Sequence, residues 1–270
     1  MDIIRTILYI CISTICNHQT KIRIMPFFES KNPILNEEKL KSLSTTQNYT
    51  GDTSDVMTIS GAINKTLILF VILLVSSSLS FIMPTMFLLI VGIVGGLIAV
   101  LVASFKPHTS PIAAPVYAGF EGMALGTISA MYAGMMDGII LQAVCLTFGT
   151  LLSMLVLYKS GLITVTEKFR SGVMMATGAI FFVYLISMIG SLFGWNMPML
   201  HSNGLLGIGI SLVIIAVAAM NLLLDFDNFD KAAEANSPKY MEWFCGLSLI
   251  VTLVWLYLEF LRLLSKLNRE

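Results

Sequence analysis

Seven apolar runs of about twenty residues, separated by short polar connections, constrain this chain more than any other feature. They cover approximately residues 66–83, 86–105, 111–134, 138–158, 171–193, 204–224 and 241–264. A helix needs about 20 apolar residues to cross the ~30 Å hydrocarbon core, and in lipid the backbone must satisfy its own hydrogen bonds. The chain therefore reads as an all-α membrane protein, a bundle of seven transmembrane helices. Composition agrees, since 12% of residues are charged against about 25% in soluble domains. A formal net charge of zero gives no electrostatic handle for nucleic acid.

Basic residues in short loops stay on the cytoplasmic side. With the N-terminus cytoplasmic, loops two, four and six carry Lys106, then Lys159, Lys168 and Arg170, then Lys231 and Lys239, while loops one, three and five carry none. A reporter fused after Lys168 is expected to read cytoplasmic and one in the 194–204 loop external; finding both on one side would contradict the fifth span. Seven crossings would leave the C-terminus outside with Arg262, Lys266 and Arg269, against the rule. Either the last segment does not fully cross, or the tail is an exception.

Residues 1–65 hold seven of the sixteen Lys and Arg and six of the sixteen Asp and Glu. The stretch 25–65 reads as a polar, mostly disordered cytoplasmic tail, and 265–270 as a short basic tail. Ile3 to Cys16 is apolar but only fourteen residues long, with no A-x-A-like cleavage site after it. The expectation is that translation starts at Met25 and that 1–24 is an upstream extension.

Gly92 to Gly96 and Gly122 to Gly126 each have the G-x-x-x-G spacing. Close helix packing and ordinary membrane-helix glycine both fit it. The four cysteines show no metal or C-x-x-C spacing, and Cys145 and Cys245 read as buried thiols. Metalloprotease, nucleophile-elbow, phosphate-loop and dinucleotide motifs are all lacking. His18, His108 and His201 fall in the tail or in loops without further ligands, so neither catalysis nor a resident cofactor is expected.

Acids inside spans cost about 2.5–3.5 kcal/mol at the bilayer centre on insertion scales, which makes them informative. Glu121 lies mid-way along the third span. At the end of the sixth, 221-NLLLDFDNFDKAAEA-235 clusters Asp225, Asp227 and Asp230. Asp225 shares a face with Asn221 one turn earlier and is the candidate inward acid. Asp227 pairs at i,i+4 with Lys231, and with Asp230 it reads as a solvated helix end. Glu259 and Arg262 have i,i+3 spacing in the last span, and Glu242 opens that span beside Trp243, where an interfacial position suits it.

The order of 118-AGFEGMALG-126, 223-LLDFD-227 and 256-LYLEFLRLL-264 resembles the transmembrane Bax inhibitor motif family, the Bax inhibitor/YccA-like membrane proteins. The tail 28-FESKNPIL-35 resembles the start of a bacterial branch. The resemblance implies six helices around a central seventh, and paired acids of the sixth and seventh helices that share a proton and gate a pH-sensitive calcium leak. Asp225 matches the first acid. Matching LYLE makes Glu259 the second, whereas matching FLRLL places the second near Thr252. Glu121 would line the path, and calcium would enter as permeant or as ligand at Asp225 and Asp227. Two other functions remain open: a non-conducting protein that modulates a membrane-protease partner or a stress response, and a proton-coupled secondary transporter. The expected location is the bacterial cytoplasmic (inner) membrane.

Overall fold

The computed structural model describes residues 56–192 and 204–268. The Met25 start, the polar tail before residue 56 and most of the 194–204 loop lie outside the described residues. Within these described residues seven α-helices follow one another: α1 Ile59–Ile82, α2 Met86–Phe105, α3 Ser110–Ala133, α4 Ile139–Lys159, α5 Glu167–Leu192, α6 Leu205–Glu234 and α7 Met241–Leu267. No strand is present among the described residues. Six of the helices, all but α3, are long and apolar enough to cross a membrane. The protein is an integral, all-helical membrane protein.

Local chemistry explains the boundaries. Thr58 accepts from Gly61 N and starts α1 seven residues before the apolar run at 66, because this cap fixes the first turn where hydrophobicity does not. Thr85 does the same for α2. Pro111 sits in the first turn of α3, where its missing N–H costs nothing. Gly138, with φ of 75°, supplies the left-handed residue that turns the chain into α4. The largest departure from the apolar pattern is at α6, which continues ten residues past position 224 to Glu234.

Lipid tails match apolar side chains, so helices associate there through close packing and hydrogen bonds. The α1–α3 seam has both. Ser76 Oγ donates to Gly119 O at 2.5 Å, Ser80 Oγ donates to Met123 O at 2.7 Å, and the Ser80 and Thr127 hydroxyls lie 2.7 Å apart. A Cβ on Gly122 would stand 2.6 Å from Leu73 O, and one on Gly92 would stand 2.6 Å from Phe120 O. Both G-x-x-x-G segments thus serve packing, Gly122 and Gly126 against α1, Gly92 and Gly96 against α3.

Gly122→Val should cost about 1–3 kcal/mol through forced backbone displacement, read as a lower thermal midpoint in detergent. Gly119→Ala, with open space at its Cβ, should leave the midpoint unchanged. Equal midpoints for the two variants would contradict the seam.

Large apolar side chains such as Val71, Phe87, Leu141, Leu152 and Val213 point outward, as lipid requires. Cys245 is buried as expected, whereas Cys145 is exposed on the outer surface of α4. In α7, buried residues occur all round the helix, and it packs against α1, α3, α4 and α6.

Candidate functional site

The site is built where α6 and α7 run antiparallel. Asp225 lies nine residues before the end of α6, and Ser248 and Thr252 lie seven and eleven residues after the start of α7. Folding back about the 235–240 turn therefore sets them level. Asp225 is 1% exposed. Its Oδ1 accepts from Ser248 Oγ and its Oδ2 from Thr252 Oγ1, both at 2.6 Å. These lengths match hydroxyl-to-carboxylate bonds of about 2.5–2.7 Å. Thr252 Oγ1 also lies 3.2 Å from Ser248 O, a second acceptor within its reach. The face inferred from Asn221 and Asp225 is the inward one, for Asn221 Nδ2 donates to Thr177 Oγ1 of α5 at 2.9 Å.

The other acids of the cluster are not a solvated end. Arg170, in the first turn of α5 and 3% exposed, donates to Asn228 Oδ1 at 2.9 Å and pairs with Asp227. Lys231 closes on the same Asp227 carboxylate at 2.9 Å, the i,i+4 pair expected from sequence. Asp230 accepts from Tyr158 OH of α4 at 2.7 Å. Partners from α4 and α5 thus extend α6 beyond its apolar part. Asp227 is engaged by two cations, so the structure separates its surroundings from those of Asp225. No group of three or more His, Cys, Asp or Glu side chains is placed to hold a metal ion among the described residues.

A family model described as Bax inhibitor 1 like matches residues 32–269. The chain belongs to that family. Neither the curated proteins nor the solved structures compared with it gave a match.

Within this Bax inhibitor 1-like protein, the expected Asp225–Glu259 pair is not formed. Glu259 stands seven residues beyond Thr252, about 10 Å further along α7. It is fully buried and accepts from Tyr184 OH at 2.9 Å, Trp255 Nε1 at 3.3 Å and Arg262 Nη1 at 3.0 Å. The place matched through FLRLL is the one that meets Asp225, and a threonine occupies it. Arg262 lies over the Tyr184 ring, 5.2 Å from its centroid. Lys266 is 6% exposed, with Nζ donating to Gly207 O at 3.0 Å and to Ser211 Oγ at 2.9 Å. Two of the three basic residues that strained the orientation rule are thus bound within the protein.

Glu242, in the first turn of α7, is fully buried within the protein. Its Oε1 accepts from Thr58 N at 3.0 Å and from Thr58 Oγ1 at 3.1 Å, and Lys239 pairs with it at 2.9 Å. It ties the start of α7 to the start of α1. Met57 N donating to Ser237 O at 2.8 Å reinforces the same junction. Glu121 is buried in α3 against α2, its Oε2 3.0 Å from the position of a Cβ on Gly96. Arg170 had only an orientational meaning in the sequence. The i,i+4 spacing of Ser248 and Thr252 was the available signal for the hydroxyl pair.

Proposed function

We propose that this protein is a proton-regulated cation leak, with calcium as permeant, controlled at the clamp between Asp225 and the Ser248 and Thr252 hydroxyls. The observation that carries the reading is a buried carboxylate on one helix held at both oxygens by hydroxyl donors of the next. Ionised Asp225 accepts from both hydroxyls. A protonated carboxyl must itself donate one bond, so one hydroxyl has to reverse and accept it or turn away, and Thr252 has Ser248 O as an alternative acceptor for its own proton. Proton uptake thus exchanges charge-assisted bonds for weaker neutral ones and loosens α6 from α7. The released oxygens are ligands of the kind calcium accepts.

The same reading has all seven helices crossing with α7 in the middle. Its support is that 89% of the most apolar stretch of α7 is buried, against 17–50% for the other five apolar helices. A cytoplasmic N-terminus rests on the basic-loop asymmetry, and the bacterial inner membrane on the resemblance of residues 28–35. The test is calcium flux into liposomes carrying the purified protein. Flux should rise as pH falls, and a pH-independent flux would overturn the clamp. Glu121→Gln, on another helix, should change the size of the flux and leave its pH midpoint in place. A moved midpoint would connect Glu121 to the clamp instead.

A further inference from the structure

Between α1 and α4, with α3 and α7 behind them, lies a cavity of about 430 Å³. Its α1 wall runs along one helix face from Phe70 to Ile82, which is about 18 Å at the helical rise. Ile82 is the last residue of α1 and Ile140 the second of α4. The cavity therefore begins at one surface of the bundle and runs inward, to Ile250 of α7. That surface is opposite the α6–α7 turn, because the start of α1 is the end tied to Ser237 and Glu242.

The dimensions identify the occupant. One leaflet contributes about half of the ~30 Å hydrocarbon core, close to the length of the cavity. Spread over ~18 Å, 430 Å³ gives a mean cross-section of about 24 Å². That is the space for the centre of a water-sized sphere of ~1.4 Å radius, so the passage is roughly 8 Å wide, narrower than a helix of ~10–12 Å diameter. It suits a single alkyl chain.

The chemistry of the wall agrees. No charged side chain lines it. Its buried hydroxyls are paired within the protein: Ser129 and Tyr257 lie 2.8 Å apart across α3 and α7, and Thr147 donates to Ala143 O at 2.7 Å. Ser77 and Ser78 add the remaining hydroxyls on the α1 side, and with no charge in the wall an ionic ligand would find no counter-charge there. Left empty, the wall would lose dispersion contacts that an alkyl chain restores.

We propose that this cavity is a lateral binding site for one acyl chain of a membrane phospholipid, taken from the leaflet opposite the α6–α7 turn. The site is independent of Asp225 and of any ion flux. The test uses the full chain in nanodiscs made with a phospholipid that carries a photoreactive diazirine mid-way along one acyl chain. Irradiation should label Leu253 and Val254 of α7, which are buried and line the cavity, as well as the outward Leu152 of α4. Two variants fill the cavity from its sides, Ser78→Trp at the exposed rim and Val144→Phe within. In each, α7 labelling should fall several-fold, with Leu152 labelling and monodisperse elution retained. Wild-type protein labelled at Leu152 but not on α7 would overturn the proposal, as would α7 labelling unchanged in both variants.

Discussion

Asp225→Asn is expected to remove most of the pH dependence of calcium flux and to fix the flux near its acid-pH level. Asparagine keeps the shape of the side chain but presents one acceptor and one donor group. One of the Ser248 and Thr252 hydroxyls must then reverse or turn away, as it does when the carboxyl is protonated. For a single titrating proton the wild-type flux can change up to about tenfold per pH unit, and the variant should be nearly flat over the same range. Glu259→Gln should behave differently, since its partners are Tyr184, Trp255 and Arg262. It should lower stability and leave the pH midpoint of flux in place. A wild-type profile in Asp225→Asn would remove Asp225 from the gate.

The second large effect is on stability. Arg170→Met deletes a guanidinium that is 3% exposed and strands the Asp227 carboxylate, itself 13% exposed. Removing one member of a buried ion pair typically costs about 3–5 kcal/mol. The lower end applies here because Lys231 remains 2.9 Å from Asp227. Arg170→Met/Asp227→Leu should recover most of that loss, since the pair is then replaced by apolar groups together. A double-mutant cycle on unfolding in mixed micelles measures this coupling. Additive losses would show that Arg170 and Asp227 do not act as a pair.

The all-helical class and the apolar cores of the helices were legible because lipid demands long uninterrupted apolarity. The inward direction of Asp225 was legible from Asn221 one turn earlier. The length of α6 was not, since six of its last ten residues are polar or charged and are held in the helix by Tyr158, Arg170 and Lys231, two of them on other helices. Arg170 was equally hidden: beside a loop, a buried arginine and a solvated one look alike until their partners are placed. The partner of Asp225 depended on where α6 ends. Ending it at 224 puts Asp225 at a membrane face and makes Glu259 remote, while continuing it to Glu234 slides Asp225 level with Ser248 and Thr252. Glu259 then belongs to a different cluster, with Tyr184 and Arg262.

The proposed opening of a calcium path by proton uptake at the α6–α7 clamp can be measured as calcium entry. Its most direct test is the initial rate of calcium entry into liposomes bearing the wild-type protein, measured across pH with protein-free liposomes as the baseline. Calcium entry above baseline is expected, rising as pH falls with the steepness of one proton. Entry at baseline at every pH, or entry that rises with pH, would contradict it.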